Sequence, residues 1–69
     1  MVDRDQLRES IRDYMERNRV SNFDMAKAMG LNANTLRMFL LGGNSHPATI
    51  LVMGMFMDEA LKKELTEQK

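Results

Sequence analysis

The sequence predicts an all-α fold, a compact domain of four to five helices. Three observations lead there. Apolar residues recur three and four positions apart along most of the chain, the spacing that lines one face of a helix. Glycines and capping residues fall where successive helices must stop and start. No β-rich segment interrupts them. The 69 residues fit one domain, 1–69, with a small core. There is no cysteine, so no disulfide or thiolate metal site can reinforce it, and stability must come from helix packing, association, or both.

The first helix is expected over about residues 4–18, opened by Asp3 with Gln6 as a capping box. Leu7, Ile11, Tyr14 and Met15 fall on one face, with Arg8, Glu9, Arg12, Asp13 and Glu16 on the other. Those charges read as a solvated face, with Glu9 and Asp13 pairing with arginines within the helix. A second helix follows over about 22–29, with Ser21 as cap for the Asp24 amide and Val20 packing on Met25. Gly30 stops it, Asn32 caps a third helix over 33–41, and Gly42-Gly43 closes that one.

A fourth helix begins at Pro47, where a missing N–H costs nothing, with Ser45 or His46 as its cap. It runs over 47–57, or on to about 66 through Ala60, Leu61 and Leu65; a break near Asp58 would make a fifth helix instead. Its first half, Ala48 to Met57, is apolar nearly all round. Three preceding helices can cover only one side of it, so the side carrying Leu51, Val52, Met55 and Phe56 wants a second protein surface. Of the eight methionines, Met15, Met25, Met29 and Met57 read as core filler, while Met53 and Met55 fit an interface at least as well.

The centre of the chain carries the most specific pattern. Ala26 is small enough for a second helix to cross nearby, Gly30 can take the positive φ of a sharp turn, and Leu31 points back into the angle. Met25, Met29, Leu36 and Phe39 supply apolar contacts from both sides. Together they describe a helix-turn-helix. The pattern Ala26-x-x-x-Gly30-Leu31-x-x-x-x-Leu36-x-x-Phe39 resembles that of the phage-repressor and Cro-like (lambda repressor-like) family, and Gly30 to Asn44 is similar to the recognition helix and following loop of its members. The likeness spans Asn22 to Asn44, a third of the chain. It departs at Asn22, where the family often carries a longer Gln that bonds a phosphate.

The resemblance implies a regulator that reads double-stranded DNA with its third helix in the major groove. Asn32, Ala33, Asn34, Arg37 and Met38 would then face base edges, with Leu41 also outward. Asn34 suits adenine, Arg37 suits guanine or a phosphate, and Ala33 suits a thymine methyl. Asn32 reads better as a helix cap than as a base reader. Met38 and Leu41 would meet thymine methyls or pack against the fourth helix. Ser21, Asn22, Lys27, Asn44, Ser45 and His46 flank the helix as phosphate contacts. A homodimer joined through Leu51, Val52, Met55 and Phe56 would read two half-sites about one helical turn, roughly 34 Å, apart.

Charge argues the other way. Ten basic residues cancel ten acidic ones, whereas phosphate contacts reward positive charge. Before residue 42 the balance is seven basic against six acidic. Neutrality and methionine content favour an alternative, a protein-interaction module on the same fold, such as an antirepressor or polymerase-binding factor gripping its partner with the fourth helix.

No enzyme is expected. His46 is the only histidine, and without cysteine there is no usual nucleophile–base pair. One histidine among scattered carboxylates makes no metal site, and Gly42-Gly43-Asn44-Ser45 is not a phosphate-cradling loop. Neither metal nor cofactor is called for. No apolar run reaches membrane-spanning length, and Met1-Val2-Asp3-Arg4-Asp5 has no signal-peptide character. The expectation is a cytoplasmic protein of a bacterial cell or phage-infected host, with Met1 as its natural start.

Overall fold

A computed structural model describes residues 3–67; the reading of Met1 as a natural start lies outside them. Four helices follow one another: α1 (Arg4–Asn18), α2 (Asn22–Met29), α3 (Ala33–Leu40) and α4 (Pro47–Glu67). The described residues contain no strand, and the fold is all-α. No helix among them is long and apolar enough to cross a membrane.

Local chemistry sets each boundary. The Asp3 carboxylate accepts from the amides of Asp5 and Gln6 at 2.9 and 3.3 Å, which opens α1. Among the described residues Gln6 returns no side-chain bond, so Asp3 is a single cap rather than half of a box. Ser21 Oγ accepts from the Asp24 amide at 3.1 Å and Asn32 Oδ1 from the Asn34 amide at 2.8 Å. At the head of α4 the cap is His46, whose Nδ1 accepts from the Ala48 amide at 3.1 Å.

The three shorter helices end alike, each with one long and one short backbone bond around a left-handed residue. Val20 N–H donates to Met15 and Arg19 to Glu16 at the end of α1; Leu31 donates to Ala26 and Gly30 to Lys27 at the end of α2; Gly43 donates to Met38 and Gly42 to Phe39 at the end of α3. The turning residues are Arg19 (φ 52°), Gly30 (φ 76°) and Gly42 (φ 100°). Val20 and Leu31, next in sequence after two of these turns, fold back onto the core.

Each helix contributes to that core. Ile11 of α1, Met25 of α2, Leu36 and Phe39 of α3 and Met53 of α4 are fully buried. Around them pack Leu7, Met15, Ala26, Met29, Leu40, Ile50 and Met57. Among the described residues no polar or charged side chain is buried. Ala26 is 1% exposed where α2 meets its neighbours, in keeping with a residue chosen for smallness.

Helix α4 is continuous to Glu67, the longer of the two readings, so Asp58 is no break and there is no fifth helix among the described residues. Two expectations for its residues change. Met53 is wholly in the core, because Ile50, Met53, Met57 and Ala60 form the inward stripe of α4. Phe56 is also turned partly inward, half-buried against that core. The outward apolar residues of α4 are Leu51, Val52, Met55 and Leu65.

The far ends of α1 and α4 are joined by Glu64. Its carboxylate accepts from Arg17 Nη2 at 2.8 Å and from Asn18 Nδ2 at 3.0 Å. The hydrogen bond from Arg17, then that from Asn18, holds the Glu64 carboxyl below the ordinary value of 4.5. A carboxylate depressed in the folded state adds stability above its unfolded value, and that increment disappears as pH falls through the folded value. The pair is exposed to solvent, so the increment is small. We expect Glu64→Gln to melt below the wild-type chain at neutral pH and the two curves to converge in acid below about pH 4. A gap in melting temperature that stays constant with pH would remove Glu64 from this role.

Candidate nucleic-acid interface

The surface in question is built on α2 and α3, joined by Gly30-Leu31-Asn32. An eight-residue helix such as α3 cannot hold itself together in water. Its inward stripe, Leu36, Phe39 and Leu40, anchors it to the core. Its end is anchored by polar bonds. Of the last four carbonyls, Arg37 O accepts from Leu41, Met38 O from Gly43, and Phe39 O from Gly42.

Two arginines of α1 complete the set. Arg8 Nε donates to Phe39 O at 2.7 Å, and Arg12 Nη2 donates to Leu40 O. The Arg8 guanidinium also lies 4.8 Å from the centroid of the Phe39 ring and donates to Asp5 at 2.7 Å. Cationic donors at the negative end of a helix are favoured electrostatically as well as by hydrogen bonding. The face is solvated as expected at Glu9, Arg12, Asp13 and Glu16, but Arg8 is half-buried and both arginines also reach across to α3. Within α1 the only ion pair among the described residues is Asp5–Arg8, and Glu9 and Asp13 take no part in one. The reason is distance: α3 ends close enough to α1 for the carbonyls of Phe39 and Leu40 to accept from the guanidiniums.

Gly43 is fixed by the same construction. A Cβ added there would sit 2.8 Å from the carbonyl oxygen of Met38. Helix α3 ends at Leu40, one residue earlier than expected, and the chain leaves it through two glycines, Gly42 at positive φ.

With α3 held in this way, Asn34, Arg37, Met38 and Leu41 form one outward stripe at helical spacing and all are exposed. Met38 is 50% and Leu41 67% exposed, so neither packs away against α4. Arg37 makes no ion pair among the described residues. Asn22 lies beside this stripe, sharing a shallow depression with Arg12, Glu16, Arg37 and Leu41.

Other expected members are placed differently. The Asn32 carbonyl oxygen is committed to its cap, leaving only its amide group to donate outward. Ala33 is half-buried against the core. Lys27 lies in a separate depression with Phe23, Leu31, Asn32 and Ala33. Ser21 is exposed with its oxygen occupied by a cap. Beyond α3, Asn44 accepts from Arg4 at 3.4 Å, Ser45 is half-buried, and exposed His46 keeps its Nε2 free of the cap its Nδ1 makes.

Two features went unread in the sequence. Phe23 is 66% exposed beside Lys27; it stands off the Met25, Ala26, Met29 register that faces inward, which is a legible signal. The second is where the carboxylates fall. All ten acids lie outside residues 25–57, a stretch that holds Lys27, Arg37 and His46. A neutral chain thus presents α3, most of α2 and the first half of α4 with no carboxylate of their own.

Replacing Arg12 by Met keeps most of its length but removes the donor to Leu40. We expect a loss of about 1–2 kcal/mol in urea denaturation. Amide exchange should accelerate at Leu41, Gly42 and Gly43 while α1 stays protected. Unchanged exchange there would mean that Arg12 does not hold the end of α3.

The comparisons add no relative to this description: no protein-family model, curated protein or solved structure matches the chain.

Proposed function

We propose that this chain is a sequence-specific double-stranded DNA-binding regulator of the phage-repressor and Cro-like kind. In this reading α2 and α3 are its helix-turn-helix and α3 enters the major groove. The observation that carries it is the stripe Asn34, Arg37, Met38 and Leu41, exposed on a helix fixed at both ends, within a stretch free of acids. Side chains on a rigid helix can be presented to base edges in a fixed register, and α3 carries no carboxylate of its own, Glu16 of α1 being the acid beside Arg37. Arg37 is the principal reader, through guanine O6 and N7, with Asn34 on adenine. Asn22, beside Arg37, contacts a phosphate, as do the more peripheral Ser21, Lys27, Asn44, Ser45 and His46.

Arg8 and Arg12 donate to carbonyls of the protein, which leaves few cations for the DNA backbone. One subunit alone would bind weakly. A homodimer supplies a second set of contacts, and the exposed Leu51, Val52 and Met55 on α4 are the surface for it, with half-buried Phe56 behind them. The same apolar surface supports a second reading, in which α4 grips a different protein and the fold binds no DNA.

Arg37→Ala should abolish selective binding in fluorescence anisotropy while leaving helicity and melting temperature nearly unchanged, since the side chain is exposed. Retained affinity would exclude Arg37 as a reader. Leu51→Glu or Met55→Glu should turn a dimer into a monomer in sedimentation. The same mass for wild type and both variants would place the contact elsewhere.

A further inference from the structure

The uncovered face of α4 changes character along its length. Leu51, Met55, Asp58, Lys62 and Leu65 follow one another at spacings of four, three, four and three, and all are exposed. They lie opposite the buried stripe Ile50, Met53, Met57 and Ala60. That spacing forms a seam along which one helix can lie on another. Its centre is charged: Asp58-Glu59 precede Ala60-Leu61, and Lys62-Lys63 follow. None of these four charges makes an ion pair among the described residues, although Asp58 and Lys62, like Glu59 and Lys63, stand one helical turn apart. Resting on the homodimer of the reading above, but on none of its DNA contacts, we infer that two copies of α4 pair antiparallel, the acids of each against the lysines of the other.

The order of the charges selects both the partner and its direction. Two acids, two apolar residues and two bases, read backwards, are two bases, two apolar residues and two acids. A second copy running the opposite way is therefore complementary. Asp58 then faces the partner's Lys62 and Met55 faces the partner's Leu65, each contact occurring twice about the two-fold axis. A parallel copy would set Asp58 on Asp58 and Lys62 on Lys62, which like charge opposes. Polar groups within such a seam cost affinity but fix register and orientation. The interface so formed is centred at the level of Ala60, nearer the end of α4 than Leu51, Val52 and Met55 alone would place it.

A hollow in the surface receives one of these contacts. Leu51, Gly54, Met55 and Asp58 wall a depression of about 280 Å³ where α4 passes α1. Four residues at this spacing surround a side chain inserted from a facing helix, and Gly54 leaves the floor open. In the antiparallel register the inserted side chain is the partner's Leu65, which in the single chain is 76% exposed. Asp3 of α1 shares the hollow with Asp58, and this second acid also favours a lysine alongside over another carboxylate. Glu64 takes no part, being bonded to Arg17 and Asn18.

Sedimentation of the full chain supplies the first test. Asp58→Lys should raise the dimer dissociation constant about ten-fold. Adding Lys62→Asp exchanges the partners and should return it close to the wild-type value. The chain has no cysteine, so single cysteines report direction. When Met55→Cys and Leu65→Cys chains are mixed and oxidised in air, the mixed disulfide should form in preference to either symmetric one. All the altered side chains are exposed, and circular dichroism verifies that the variants fold. Predominantly symmetric disulfides would mean a parallel pair, and a dimer indifferent to Asp58→Lys would mean a different surface. Either result overturns this pairing and leaves a dimeric regulator standing. A chain that stays monomeric at every concentration reached would overturn the pairing and the homodimer together, while DNA binding through Arg37 is judged separately by anisotropy.

Discussion

The structure depends on two arginines of α1 reaching the end of α3. Arg8 and Arg12 donate to the carbonyls of Phe39 and Leu40, groups that a helix cannot satisfy from within. Without those donors the last turn of an eight-residue helix would be held by the Leu41, Gly42 and Gly43 amides and its apolar anchor. Arg8 also covers the Phe39 ring, so one side chain ties the backbone of α3 to the same residue that fills the centre of the core. Helix α1 thereby fixes both the depth and the direction of α3. The outward stripe inherits its geometry from contacts on the opposite side of the helix.

This use of arginine changes what the charge of the chain means. Counted by composition, the positive residues before residue 42 are nearly balanced by acids. Counted by task, Arg8 and Arg12 serve the fold, Arg17 holds Glu64, and Arg4 donates to Asn44. What remains near α3 is Arg37, with Lys27 in a separate depression beside Asn32 and Ala33 at the start of the helix. Any ligand of a surface with so few free cations would meet shape, hydrogen bonding and apolar contact rather than strong long-range attraction.

The helices were legible because their signals are local. Asp3, Ser21, Asn32 and His46 each cap within three residues, and Gly30 and Gly42 sit where a positive φ is required. The inward register of α1, α2 and α3 followed from spacing alone. Helix α4 was harder, since a run apolar on every side carries no periodicity; Met53 and Met55 differ by two residues and face opposite ways. The arginine contacts could not be read at all. Arg8 looks like any surface charge until a carbonyl thirty-one positions later in the chain arrives beside it. In the candidate interface, Arg37 and Asn34 were legible as outward residues, whereas Ala33 and Asn32 were claimed by packing and capping, which compete for the same first turn.

The distribution of sulfur gives the chain a chemical asymmetry. Among the described methionines, Met15, Met25, Met29, Met53 and Met57 are sealed in the core, and only Met38 and Met55 meet solvent. Conversion to the sulfoxide tracks access and turns an apolar side chain into a polar one. Mild peroxide therefore edits α3 and the outer face of α4 first, one thioether on each, while the packed interior stays reduced. Among the described residues one oxidant-sensitive label sits on the exposed stripe of α3 and another on the outer face of α4, and the methionines packed between the helices are shielded from the same reagent.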